Sequence, residues 1–369
     1  MKKTILILLI LIILIPNSSY GDELNLSGQN YILIEEKSGR VLLEKNANIK
    51  MPMASTTKIM TAILAVEYGN LEDEVEIVGS KVNIEGSSIF LKDKEIIKLE
   101  DLVYGLMLRS GNDSAIAIAN HISGSEEEFV KLMNKKAKEI GALNTNFTNP
   151  HGLHNDNHYS TAYDLALITR YAFKNKKFEE ISSSKDYRTY SNREYNYFVN
   201  KNSTLWEYEG GDGVKIGYTM KANRCLVASA SRNNMRLIAV TLRDYNWFND
   251  TYTLMDYGFE NYSLYPIYQK DQLITQINVL NGERERLPLV AAGDLMYPLK
   301  DEEKDKVKIS IISSGKVEAP AVKGTELGSI DVYLDGKLIK KDKLVAKYDI
   351  LKGSFFKRLL NIFEVKKDA

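Results

Sequence analysis

The sequence predicts a mixed α/β fold of the α+β kind. One antiparallel sheet is assembled from the two ends of a region spanning about residues 28–262, with a helical block inserted between them. A small all-β domain and an amphipathic C-terminal helix follow. Three observations carry this. Strand-like apolar runs stand at residues 31–36 and 41–45, and again at 225–230 and 236–242. Between them, residues 100–140 repeat apolar side chains with helical spacing in three pieces, broken near Gly111 and Gly124. After Pro266, short alternating runs such as residues 307–311 and 330–334 are separated by turn residues such as Asp335-Gly336.

Taken in order, residues 1–21 stand apart. Lys2 and Lys3 precede an unbroken apolar run from Ile5 to Ile15; Pro16 ends it, and Ser19-Tyr20-Gly21 supplies small residues for cleavage. This is the pattern of a secretory signal peptide. The alternative, a membrane anchor, needs about 20 apolar residues. Residues 37–40 form a turn by composition, a helix is expected from about Ser55 to Tyr68, and residues 141–160 are a long loop rich in Asn, His, Gly and Thr. Helices are expected at about 161–173 and 248–260, and the stretch 187–242 is expected to be several strands. The expected organisation is a signal peptide over 1–21, a first domain over 22–263, a β domain over 264–347 and a tail over 348–369.

Composition excludes several classes. The 49 basic and 49 acidic side chains balance, so no global charge points to nucleic acid. Cys225 is the single cysteine, so the chain has no internal disulfide and no cysteine-rich metal or cluster site. It stands in an apolar run and is expected to be a buried thiol.

Three short elements could carry chemistry. Ser55 and Lys58 are spaced i, i+3 at a helix start, where their side chains share a face. A serine becomes a nucleophile only when a base takes its proton, and a lysine can be that base if burial or another cation lowers its pKa. Ser110-Gly111-Asn112 sits between two helical pieces and offers a hydroxyl and an amide from one turn. Lys215-Ile216-Gly217 follows a glycine-rich stretch on a strand, where Lys215 can hold a carboxylate and Gly217 lets a substrate backbone approach. Each alone has a plain structural reading: an N-cap, a helix cap, an edge-strand lysine.

In this order the three elements resemble the S-x-x-K, S-x-N and K-T-G elements of the serine-active penicillin-recognising enzymes. More closely, the chain resembles the D-alanyl-D-alanine carboxypeptidases of the low-molecular-mass penicillin-binding proteins, serine peptidase family eleven. The matching stretches are Met53–Ala62, Leu108–Ala115, Asn149–Leu153, Tyr159–Ala166 and Gly213–Thr219 with the two strands after it. The resemblance implies a β-lactamase/transpeptidase-like first domain. It implies Ser55 as nucleophile, Lys58 as general base, Ser110 as proton relay to the leaving amine and Asn112 as orienting group. It also implies substrate binding by Lys215, Gly217, Tyr218 and Thr219, with the N–H groups of Ser55 and Tyr218 as oxyanion hole. The implied reaction removes the terminal D-alanine of a peptidoglycan stem peptide through an acyl-enzyme, needs no metal or other cofactor, and is blocked by β-lactams.

One position departs from the pattern. The family usually has Thr where this chain has Ile216, and isoleucine cannot donate to a substrate carboxylate. Lys201 and Thr219 are the expected substitutes. The departure keeps open a weak or inactive wall-peptide-binding homologue, and a D,D-endopeptidase shares the same chemistry. A class A β-lactamase adds a deacylating Glu in an E-x-x-L-N stretch; Glu139 to Asn144 has one residue too many. His151, His154 and His158 with Asp156 could be read as zinc ligands, but Pro150 and Gly152 break the helical register such spacing needs, and no metal is expected.

The tail carries the last signal. Phe355, Phe356, Leu359, Leu360 and Phe363 fall on one helical face bordered by Lys352, Lys357 and Arg358, the pattern of a helix lying in a membrane interface. The alternative is a helix packed on the β domain. With the signal peptide, the expectation is an extracytoplasmic protein attached to the outer face of the cytoplasmic membrane.

Overall fold

The computed structural model describes residues 24–189 and 193–353. The expected signal peptide over 1–21 and the apolar face of the tail lie outside the described residues. Among the described residues, no helix is long and apolar enough to cross a membrane.

Two strands open the first unit, β1 (Asn30–Glu35) and β2 (Val41–Lys45). Six longer helices follow: α1 (Lys58–Tyr68), α2 (Leu99–Leu108), α3 (Asn112–Ser123), α4 (Glu126–Ile140), α5 (Ala162–Ala172) and α6 (Lys176–Ser183). Strands β3 (Gly211–Thr219), β4 (Asn223–Arg232) and β5 (Met235–Leu242) then lead to α7 (Trp247–Asn261). The five strands form one antiparallel sheet in the order β2-β1-β5-β4-β3. The sheet is thus closed by pairing the first strand with the last, Tyr31 opposite Thr241 and Leu33 opposite Ala239. β3 is left as an edge.

The helical breaks fall where the sequence placed them. Gly124 and Gly141 end α3 and α4 in left-handed backbone, the conformation that favours glycine. Helix α6 was not anticipated; its signal is local, with Asn175 accepting N–H bonds from Lys177 and Phe178. Helix α1 is apolar nearly all round, and its first eight residues, Lys58 to Ala65, are all buried. Such a helix has to be enclosed. It lies within the core formed by one sheet face and the surrounding helices, beside Ile32, Leu102, Ile118 and Val240. That position carries Lys58 inside with it. The other sheet face packs Leu33, Ala228 and Leu237 against Leu254 and Met255 of α7.

The second unit is all β. A six-stranded sheet runs in the order Val307–Ser313, Glu326–Leu334, Lys337–Ala346, Arg286–Ala291, Leu273–Leu280, Lys316–Glu318, beside a two-stranded pair of Ser263–Tyr268 with Leu295–Leu299. Its first strand begins two residues after α7 ends and contains Pro266. Chain beyond the last strand stays bound to this unit: Ile350 is fully buried, its N–H donates to Ala321 O at 2.8 Å, and the Gly353 N–H donates to Asn281 O at 2.8 Å. Ile350, within the expected tail, thus completes the β core. Arg40 of the first unit joins the two. Its guanidinium donates to Glu303 (2.5 Å) and Pro298 O and lies 5.1 Å from the Tyr262 ring centroid.

Candidate active site

Ser55 lies in a 3-10 turn, Ala54–Thr57, that leads into α1. The expected helix start at Ser55 is thus tighter than an α-turn. In 3-10 geometry residues i and i+3 eclipse, which sets Lys58 over Ser55. The Lys58 Nζ stands 2.9 Å from Ser55 Oγ. The turn is held by its own threonines: Thr56 Oγ1 donates to Met53 O (2.6 Å) and Thr57 Oγ1 to Ala54 O (2.8 Å). His158 supports the second of these. Its Nδ1 accepts the Thr148 N–H at 3.0 Å, so Nε2 carries the proton and donates to Thr57 Oγ1 at 2.8 Å.

Lys58 is fully buried and has two further partners, Asn112 Oδ1 at 2.7 Å and the His151 carbonyl at 2.7 Å. An ammonium would donate to all three acceptors. A neutral amine has two N–H groups, which the amide and carbonyl take, leaving its lone pair toward Ser55 Oγ. Its surroundings shift the balance toward the neutral form. Burial holds the Lys58 pKa well below the ordinary 10.5, Lys215 and Lys201 push the same way, and the Asp113 carboxylate opposes them.

Two glycines let the walls close on this pair. Gly152 has φ +92°, and a Cβ there would lie 2.0 Å from Ala54 O; only glycine lets the 149–153 loop reach the Ser55 turn and offer the His151 carbonyl. A Cβ at Gly217 would lie 2.9 Å from Ser55 N, so β3 passes directly against the Ser55 turn.

The other expected residues take graded positions. Lys215 is 2% exposed, and burial, with Lys201 beside it, brings its amine down to about 7. Ser110 is buried in the turn before α3, with φ +63°. The Lys201 N–H donates to Leu108 O at 3.2 Å, which brings it to the end of α2, and burial and Arg109 lower its amine pKa. Tyr218 is 61% exposed. Thr219 Oγ1 accepts the Ala222 N–H at 3.0 Å and is tied to the turn after β3. Ile216 shares a sheet face with Leu226 and packs on the cluster against α7, whereas Lys215 and Gly217 point to the opposite face, toward Ser55.

The histidines take separate partners: His151 Nδ1 accepts the Leu153 N–H at 3.1 Å, His154 meets Asp156 at 3.1 Å, and His158 braces Thr57. Cys225 is buried and its thiol pKa is pushed up to about 12, which makes it unreactive. The His151 carbonyl and Asp113 were not read from sequence as parts of the site. The first is a backbone atom with no side-chain signature, and the second is masked by its neighbour Asn112.

A buried lysine amine aimed at a serine, beneath the edge of an antiparallel sheet with a helical block, defines a serine acyl-transfer enzyme. A profile of the D-alanyl-D-alanine carboxypeptidase family matches residues 18–246, and one of the penicillin-binding protein 5 C-terminal domain matches residues 262–352. D-alanyl-D-alanine carboxypeptidase DacF of Bacillus subtilis is 36% identical over 345 residues, covering 90% of this chain and 88% of that protein. DacA of Escherichia coli is 30% identical over 380 residues, covering 95% and 92%. The crystal structure of penicillin binding protein 5 from Haemophilus influenzae superposes with a TM-score of 0.75 at 30% identity, covering 89% of this chain and 98% of that one. The chain belongs to the D-alanyl-D-alanine carboxypeptidase family.

Proposed function

We propose that this protein is a serine D-Ala-D-Ala carboxypeptidase that trims peptidoglycan stem peptides and is acylated by β-lactams. The observation that carries the reading is Lys58, buried with its Nζ 2.9 Å from Ser55 Oγ and held there by Asn112 Oδ1 and the His151 carbonyl. The substrate would lie extended along β3, whose edge leaves one row of backbone groups unpaired. Lys215 and Lys201 supply positive charge for the terminal carboxylate. Lys58 takes the Ser55 proton as Oγ bonds to the penultimate carbonyl carbon, and the N–H groups of Ser55 and Tyr218 receive the oxyanion. The C–N bond then breaks as Lys58 gives up that proton, through Ser110, to the nitrogen of the departing D-alanine, which returns the amine to its neutral form. Water, activated by the same amine, releases the acyl group. Incubation with a stem pentapeptide followed by mass analysis tests this: the peptide should lose one alanine, and an intact peptide would sink the reading.

Ile216→Thr should leave kcat/KM for D-Ala-D-Ala peptides and the rate of β-lactam acylation close to those of the parent, because the new hydroxyl would face the α7 cluster rather than the lysines. The exchange removes apolar contact with the α7 cluster, so thermal stability should fall by about 1 kcal/mol. A gain of about tenfold with both ligands, absent for a C-terminally amidated peptide, would instead show that this hydroxyl reaches the terminal carboxylate.

The proposal extends to location: an extracytoplasmic enzyme, exported by its N-terminal segment and attached to the membrane surface by the Phe/Leu face of the tail. Deleting residues 354–369, a cut that spares Ile350, should release the signal-cleaved protein into the soluble fraction with peptide activity retained. Continued membrane association of the shortened protein would overturn the anchor.

A further inference from the structure

Asp113 follows Asn112 at the start of α3 and is 2% exposed. Its carboxylate gathers four donors: Ser88 Oγ at 2.5 Å, the Ile89 and Leu91 N–H groups at 3.1 Å, and its neighbour Ser114 N–H at 2.9 Å. Three of these belong to the segment between residues 83 and 95, which has no regular structure of its own around them. The same segment holds Asn112. Its Nδ2 donates to Glu85 O at 2.7 Å, and its backbone N–H donates to Ser87 O at 2.7 Å. With Nδ2 committed to a carbonyl, the amide oxygen faces Lys58 Nζ.

We propose that Asp113 is a positioning residue for the reaction. It folds the segment Glu85–Leu91 onto the start of α3, so that the Glu85 and Ser87 carbonyls orient Asn112 and Asn112 holds Lys58 against Ser55. Its carboxylate is also the anionic counterweight to a site otherwise lined with cations. The inference rests on the reaction proposed above. Burial alone does not explain the arrangement, since a carboxylate meeting only backbone N–H groups could sit anywhere in the loop. This one is adjacent in sequence to the residue that touches the base. The charged and titratable groups that bear on Lys58 are Lys215 and Lys201, Asp113, and the buried imidazoles of His151 and His158. Burial holds those imidazoles at about 3 and about 4, so they stay neutral through the neutral range. Asp113 is therefore the one among these groups that raises the proton affinity of Lys58.

The test is the pH dependence of Ser55 acylation by a fluorescent penicillin in the full chain and in Asp113→Asn. An asparagine in the same place loses the charge and cannot accept with its nitrogen, so the plateau rate should fall about tenfold or more. The acid limb, set by the proton on Lys58, should move to lower pH because an opposing charge is gone. Amide exchange at Ile89 and Leu91 should quicken. Asp113→Glu keeps the charge but displaces it; its plateau should fall while its acid limb stays near that of the parent. A lower plateau with faster exchange but an unmoved limb in Asp113→Asn would reduce Asp113 to a structural clip and overturn the proposal. So would a parent-like plateau in both variants. If Asp113→Asn does not fold, Asp113→Glu decides alone: a parent-like plateau overturns the role. A parent chain that takes no acyl group at any pH refutes the proposed reaction itself, whereas an active parent beside an unaffected variant refutes only the role of Asp113.

Discussion

Ser55→Ala is expected to abolish covalent labelling by penicillin and to cut peptide turnover on the order of a millionfold, the scale on which removing a single nucleophile acts in serine hydrolases. The change deletes one oxygen from a side chain that is partly exposed at the mouth of the site. The Ala54–Thr57 turn should survive, because it is held by Thr56, Thr57 and His158 rather than by Ser55. Thermal unfolding should stay within about 0.5 kcal/mol of the parent. Intact-mass analysis after incubation with penicillin is the direct measurement. An adduct that persists and maps to another serine, Ser110 above all, would transfer the nucleophile to that residue.

Lys58→Ala should slow acylation by roughly a thousandfold to ten-thousandfold, the contribution of a positioned general base. Among the described residues, Lys58 is the one side-chain base hydrogen-bonded to Ser55 Oγ; the His151 and His158 imidazoles are held at about 3 and about 4, and His158 is engaged with Thr57 and Thr148. The substitution also leaves Asn112 Oδ1 and the His151 carbonyl without their buried donor, costing about 1–3 kcal/mol for each acceptor. Lys58→Met fills the volume with an apolar side chain and separates lost packing from lost chemistry; it should be as slow as alanine. The parent enzyme gives the complementary reading. As general base Lys58 would work only when neutral, and burial, Lys215 and Lys201 hold its pKa well below 10.5 in the folded state. Acylation should therefore be full above that folded value and be lost as pH falls through it. A rate that rises only above pH 10 would mean the amine is not depressed and would remove Lys58 as the base.

Much of this was legible in one dimension. The helix breaks near Gly111 and Gly124, the strands around 225–242 and the all-β character after Pro266 follow from spacing and turn chemistry between near neighbours. Helix α6 was missed because its apolar pattern is short, and a single capping Asn175 is its main signal. The Ser55–Lys58 pair was legible because its members stand three residues apart, even though the turn that joins them proved to be 3-10. The place of Ile350 in the β core was not legible, because it is made through contacts with Ala321, far away in sequence.

The sequence by itself determined which residues are the candidates for the chemistry, since residue type, local spacing and order are properties of the chain. The tertiary structure decided what state those residues are in. The Lys58 amine is lowered in proton affinity because a helix apolar nearly all round had to be enclosed, taking the amine out of water, and it is held in place by partners that arrive from 54 and 93 residues away. Asp113 meets its donors because Ser88, Ile89 and Leu91 fold back on it from 22 to 25 residues upstream. Ile216 points away from the lysines because the pleat of β3 alternates its faces. Proton affinity and side-chain direction are set by what surrounds a group in space, and those surroundings exist only once the sheet has closed between its first and last strands.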